Sequence, residues 1–205
     1  MSAAFLEGAI AGYGIAIPVG AIAVLIVDTA LRRGFLPGFI AGAGAATADL
    51  LYAGLAAVAG GILASLLAPH AFFIRLLSSI VLIGLGGVGI IRSLREIVQT
   101  GRSESEEELV KLFVQFLGLT LINPLTVVYF SALIVGGAVG EGSSLIERVA
   151  FVLGAGIASF SWQSVLAVLG AFVRKGFPLG VQRGLSVIGN LVVIGLGVRI
   201  LILLS

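Results

Sequence analysis

The sequence predicts an all-α integral membrane protein: six transmembrane helices built as two antiparallel three-helix repeats. Three observations carry that prediction. First, mean hydropathy is +1.21 and only 11% of the 205 residues are charged, far below the quarter or so usual in soluble domains. So few polar groups cannot cover a soluble surface. Second, the apolar runs are continuous over some twenty residues, the length a bilayer core requires of a helix. A barrel strand would alternate apolar and polar residues over about ten positions. Third, one pattern occurs twice. Gly42-Ala43-Gly44-Ala45-Ala46-Thr47-Ala48-Asp49 returns as Gly154-Ala155-Gly156-Ile157-Ala158-Ser159-Phe160-Ser161. Gly12 and Pro18 return as Gly118 and Pro124, and Ile83-Gly84-Leu85-Gly86 returns as Ile194-Gly195-Leu196-Gly197. The order is kept, at offsets of 112, 106 and 111 residues.

Helix 1 is expected at about 5–30 and helix 2 at 36–66. Pro18 falls near the middle of helix 1. A proline lacks the backbone donor and displaces the carbonyl four residues earlier, here that of Gly14. Helix 2 is too long for one straight span and carries seven glycines from Gly34 to Gly61, so a tilt, kink or break is expected. Helix 3 is expected at 72–93. The stretch from Ser93 to Val110 holds five glutamates and reads as a solvated, mobile linker. Helix 4 follows at 112–137, with Pro124 releasing the Thr120 carbonyl. Helix 5 spans 147–173 and helix 6 spans 184–204. The domain division is thus 1–95, a linker at 96–111, and 112–205.

Orientation follows from the basic residues. Arg32, Arg33, Arg92, Arg95, Arg102, Lys111, Arg174, Lys175 and Arg183 lie at loops of one side, nine of the twelve in the chain. Basic loops stay in the cytoplasm. The reading is a multi-pass protein of the cytoplasmic membrane with both termini outside the cytoplasm. Helix 1 then runs inward and helix 4 outward, so the halves invert. With five or seven helices they would not. Helix 1 lacks a charged leader and a small-residue cleavage site, so no removable signal peptide is read.

Composition excludes several chemistries. There is no cysteine and one histidine, His70, beside Pro69 in a loop. Disulfide, thiolate-metal and thiol redox functions therefore fall away, and a multi-histidine metal site cannot form. No cofactor is expected. The net charge of +2 reflects membrane orientation and gives no case for nucleic acid. An enzyme needs a paired nucleophile and base or a bound metal, and no His, Lys or second acid lies in mid-membrane.

Inverted repeats of broken apolar helices mark secondary transporters, and the candidate site lies where the repeat breaks its own symmetry. Asp49, central in helix 2, aligns with Ser161. A mid-membrane aspartate costs about 3 kcal/mol and is usually functional. It can take a cation or a proton, and competition between the two gives antiport. Asn123, before Pro124, aligns with Ile17; its amide both donates and accepts. Thr47, Ser159, Ser161, Trp162, Gln163 and Ser164 add polar groups on helices 2 and 5. The plainer reading of the serines and threonines is bonding to their own helix. The Pro18 and Pro124 breaks offer freed backbone groups to a substrate. Asp28 lies four residues before Arg32, a favourable ion-pair spacing, at the inner end of helix 1, where the pair can act as a gate. The glycines are chiefly packing devices; the runs at Gly42 and Gly154 should mark where helices 2 and 5 cross. Such small-residue faces also permit a homodimer.

These motifs resemble the lysine exporter (LysE/RhtB) superfamily of membrane transporters. The resemblance rests on Gly14-Ile15-Ala16-Ile17-Pro18-Val19-Gly20-Ala21, on Arg32-Arg33-Gly34 followed by the Gly/Ala run and Asp49, and on Leu119-Thr120-Leu121-Ile122-Asn123-Pro124. It covers nearly the whole chain. It implies proton-driven export of amino acids or related small polar solutes, with Pro18, Gly20, Asp49, Asn123 and Pro124 in the site. The partners it implies are the small-molecule substrate, protons and the lipid bilayer. Where many members carry polar residues after the helix 1 motif, this chain has Ala21, Ile22 and Ala23. Related branches move metal cations. That alternative needs several oxygen ligands here, and one mid-membrane carboxylate is poor provision. The remaining alternative is a membrane assembly protein without transport.

Overall fold

The computed structural model describes residues 2–17, 20–59, 68–95, 105–123, 126, 129–130 and 143–202. The chain is all-helical there. In order, the helices are α1 (Ser2–Ala16), α2 (Ala21–Arg33), α3 (Phe35–Ala59), α4 (Ala71–Arg95), α5 (Glu106–Leu121), α6 (Leu145–Gly176) and α7 (Leu179–Ile202). A single 3₁₀ turn, Ala68–His70, leads into α4. Among the described residues α3, α4, α6 and α7 are each long and apolar enough to cross a bilayer, and α1 with α2 forms a fifth candidate span bent by 75°. Beyond Asn123 the expected helix 4, apart from Thr126, Tyr129 and Phe130, falls outside the described residues, like the end of helix 2 and most of the acidic linker.

The expected helix 1 is therefore two helices. α1 stops at Ala16 and α2 starts at Ala21, with Gly20 extended at its N-cap (φ −104°, ψ −177°). Of the tilt, kink or break expected in helix 2, no break falls within α3, which runs from Phe35 to Ala59 through four of its glycines; positions 60–66 lie outside the described residues. Glycine in a helix flanked by packed neighbours is a contact point and need not be a hinge. α5 begins at Glu106, six residues before the expected start of helix 4. Ser105 and Glu108 cap it reciprocally: the Ser105 hydroxyl accepts from the Glu108 amide and the Glu108 carboxylate from the Ser105 amide at 2.9 Å. The three glutamates of its first turn also suit the positive helix N-terminus. α6 uses the same device at Ser144 and Glu147. The sequence signal, Ser-x-x-Glu, stands at both places.

Packing inverts the pattern of a soluble protein. The interior is built of Ala and Gly, with Phe130, Phe151 and Ile26 the largest apolar side chains fully enclosed. Outside stand Ile10, Phe72, Phe73, Leu94, Phe172 and Ile202, each more than half exposed. Such a surface is stable only against lipid. Small interior residues let helix backbones touch. Gly8 and Gly12 of α1 lie on the backbone of Phe151 and Ala155, and Gly154 lies on Phe5 and Ala9. α1 thus runs parallel to α6. Gly44 of α3 lies on Phe113 and Leu117 of α5, and Tyr52 further along α3 bonds Leu121, so α3 runs parallel to α5.

The α3–α6 crossing is antiparallel, as expected for the two Gly/Ala runs: Gly42 meets Gln163 and Gly156 meets Leu50. α4 and α7 are also antiparallel, since Ser93 meets Ser186 while Gly197 meets Ser79 and Leu82. One tight turn depends on glycine. Gly34 joins α2 to α3 with φ +103°, a conformation other residues adopt only under strain, and its amide closes α2 on the Ala30 carbonyl at 2.9 Å. The turn sets the two helices side by side, with Gly38 against Ala30.

Candidate functional site

Near its middle, α3 carries Asp49, only 3% exposed. Its carboxylate oxygen Oδ2 accepts from the Ser159 hydroxyl of α6 at 2.6 Å. Oδ1 is buried and has no hydrogen-bond partner among the described residues. An ionised carboxylate can accept several hydrogen bonds, so Asp49 is under-satisfied in a dry setting, where an unmet polar atom is costly. Ser159 is itself fully buried. The partner is thus two residues from Ser161, which alignment set opposite Asp49. Ser161 turns toward α1, where its hydroxyl lies 2.9 Å from that of Tyr13 and donates to the Ala158 carbonyl. In α3 and α6 the paired faces recur every three or four residues, so a two-residue shift changes the neighbour. Thr47 donates to the Ala43 carbonyl of its own helix at 2.7 Å.

Gln163, one turn beyond Ser159, is buried against Gly42 and leaves Oε1 without a partner among the described residues. The α3–α6 crossing therefore holds two unpaired acceptors, Asp49 Oδ1 and Gln163 Oε1, on facing helices.

Pro18 and Pro124 lie outside the described residues, and the helix ends beside them are visible. At the end of α5, the Thr120 carbonyl accepts from the Asn123 amide at 3.1 Å, so the carbonyl expected to be freed by Pro124 is taken up in a closing turn. The next carbonyl, that of Leu121, accepts from the Tyr52 hydroxyl at 2.6 Å. Asn123 donates from its side-chain amide to Thr126 at 3.2 Å. At the end of α1, the Ala11 carbonyl accepts from the Tyr129 hydroxyl at 2.8 Å, and that hydroxyl presses on Gly14. Phe130 stacks on Tyr52 with ring centroids 5.6 Å apart and meets Tyr129 edge-on. Tyrosines from neighbouring helices thus hold both helix ends. The sequence reading gave Tyr52 no role; the signal was its place three residues after Asp49, on the same helical face.

The Asp28–Arg32 pair forms as its spacing predicts, with Nε 3.0 Å from the carboxylate. The structure adds what spacing could not. The Arg32 terminal nitrogen Nη2 donates to the Gly89 carbonyl at 2.8 Å and to the hydroxyls of Ser93 and Ser186. Ser186 in turn donates to Asp28. One guanidinium ties α2 to α4 and α7. Among the described residues no three His, Asp or Glu come together as a metal cluster.

A bundle of apolar helices with an acid buried where two of them cross defines a helical membrane protein. The chain belongs to the LysE type translocator family, which matches residues 14–204, and that family comprises transporters. A curated relative, "Putative amino acid efflux protein YcgF" of Bacillus subtilis (strain 168), is 23% identical over 184 residues, covering 89% of this chain and 87% of the relative. No solved structure matches the chain.

Proposed function

We propose that this translocator exports amino acids or related small polar solutes across the cytoplasmic membrane in exchange for protons. Asp49 takes the proton or the ammonium group of the substrate. The observation that carries this reading is the Asp49 carboxylate: buried in mid-helix, held on one oxygen by Ser159, with the other unpaired among the described residues. A carboxylate so placed gains from any arriving cation or proton, and the two cannot occupy it together. Gln163, Gly20, Asn123 and the two prolines complete the site in this reading, with Thr47 and Ser161 at its edge. The name of the Bacillus relative supports the substrate class.

The proposed frame is six spans in two inverted halves, 1–95 and 112–205, joined by 96–111. The helix pairs support it. Exchanging the halves exchanges the parallel pair α1–α6 for the parallel pair α5–α3. It leaves the antiparallel pairs α3–α6 and α4–α7 as they are. The ends of α2, α4 and α6 and the start of α7 meet at one face, which carries Arg32, Arg174 and Arg183. Basic residues favour the cytoplasm, which leaves both termini outside. In this frame the Asp28–Arg32 cluster closes the inner side.

The test is transport by the purified protein in liposomes. Amino acid loaded inside should leave faster when an imposed pH gradient supplies protons from outside, and its exit should draw protons inward. Exit with no response to the gradient, at any amino acid tried, would sink proton coupling.

A further inference from the structure

The polar side chains that the central site leaves unused gather on one face of α7. Gln182, Ser186 and Asn190 recur every fourth residue, and all three are at least 95% buried. Ser186 and Asn190 look toward α2 and α4, and Gln182 toward the end of α6. Ser186 joins the Asp28–Arg32 cluster, and Asn190 lies against Gly89. At the basic end of this stripe a crevice opens, whose polar lining is Arg32, Ser93, Gln182, Arg183 and Ser186.

Two features make the crevice more than a packing defect. The Gln182 amide nitrogen donates to both the Arg174 and Phe177 carbonyls at 2.7 Å, and two carbonyl partners fix which end of the amide is nitrogen. The other end, Oε1, is buried and has no partner among the described residues. It is an acceptor in want of a donor. Two arginines line the same crevice: Arg32 in the wall and Arg183, exposed, at the rim. Guanidinium suits a carboxylate, which it can grip with two parallel hydrogen bonds. A site with cationic forks and a lone carbonyl-type acceptor fits a molecule carrying both a carboxylate and an ammonium.

Resting on the export reading above, we propose that this crevice is a loading site for zwitterionic α-amino acids at the basic end of the translocator. The substrate carboxylate binds Arg183 at the rim and then Arg32; as the crevice widens around it, the ammonium reaches Gln182 Oε1, which is closed to solvent before loading. Arg32 already holds Asp28 at 3.0 Å. The incoming carboxylate competes with Asp28 for that guanidinium and so weakens the tie from α2 to α4 and α7. Loading at this end then favours opening of the path toward Asp49.

The experiment compares the full chain with Arg183→Gln, a rim substitution that leaves the buried network intact. Transport of leucine and lysine is measured in inside-out and right-side-out vesicles, beside leucinamide and lysinamide, which lack the carboxylate. The expected result is that Arg183→Gln raises KM for both amino acids about tenfold from the basic face, the scale of one lost charge-assisted bond. The basic-face kcat and the opposite-face KM should hold; detailed balance ties the two directions of one carrier, so kcat from the opposite face should fall by the same factor, and the amides should be insensitive to the substitution. An unchanged basic-face KM in a variant that transports normally would overturn the loading site and leave the export reading standing. A defect confined to vesicles containing phosphatidylglycerol would also overturn it, because the arginine would then be holding a lipid headgroup. If the unaltered chain moved none of the twenty amino acids, both proposals would fall.

Discussion

The chain sets two aspartates among its helices, Asp49 buried and Asp28 half-buried, and they are kept in opposite ways. Asp28, toward the basic end, has Arg32 one turn away and shares a network with Ser93, Ser186 and a backbone carbonyl. Among the described residues Asp49, at the α3–α6 crossing, has a single serine hydroxyl and an oxygen left over. A charge met by a full set of partners within the fold is part of the fold. A charge met by half a set is suited to a guest. The contrast assigns Asp28 to holding helices together and Asp49 to meeting what passes between them.

The largest effect expected from breaking that contrast is on transport. Asp49→Asn keeps the shape and the Ser159 contact but removes the charge, and the initial export rate in liposomes should fall on the order of 100-fold. Thermal unfolding in detergent should move little. Arg32→Ala should act chiefly on stability, costing about 2 kcal/mol because the half-buried Asp28 loses its charged partner and α2 its tie to α4 and α7, with a rise in basic-face KM beside it. The paired change Asp28→Asn with Arg32→Gln should recover most of that loss. If Arg32→Ala leaves the melting temperature untouched, the cluster is not a tie.

Helix crossings give the next test. At Gly154 a Cβ would meet the Phe5 carbonyl and the Ala9 amide of α1. Gly154→Ala should therefore cost about 1–3 kcal/mol, the range for overpacking. Gly54 has open space around it, so Gly54→Ala should be neutral or stabilise by up to about 1 kcal/mol through helix propensity. Equal effects at the two positions would contradict the parallel α1–α6 contact. The smallest effect is at the α5 cap: Ser105→Ala should cost about 1 kcal/mol with no change in transport rate.

The helical membrane fold was legible because composition and run length depend on local chemistry alone. So was the Asp28–Arg32 pair, since a spacing of four sets two side chains on one helical face. The central aspartate was legible because polarity in an apolar span is conspicuous. Its partner was not. The repeat alignment set Ser161 opposite Asp49, and only the rotation of α6 against α3 shows that Ser159 is the one that touches it. The early start of α5 was missed because glutamates were read as solvated linker, although Ser105-x-x-Glu108 spelled a helix start. The reach of Arg32 to α4 and α7 is a tertiary fact, with sequence separations of 57 to 154 residues, and no local pattern announces it. The unbroken course of α3 illustrates the same limit: its glycines mark neighbours, and the neighbours were not in view.

The account stands most directly on the coupling carried by Asp49. Proton entry and amino acid exit can be recorded together in liposomes holding either the unaltered chain or Asp49→Asn. The unaltered chain should move protons in proportion to solute. In the variant, solute-driven proton movement should fall to the level of empty liposomes. If Asp49→Asn carries protons with solute as the unaltered chain does, the lone carboxylate is not the coupling group, and the central claim fails.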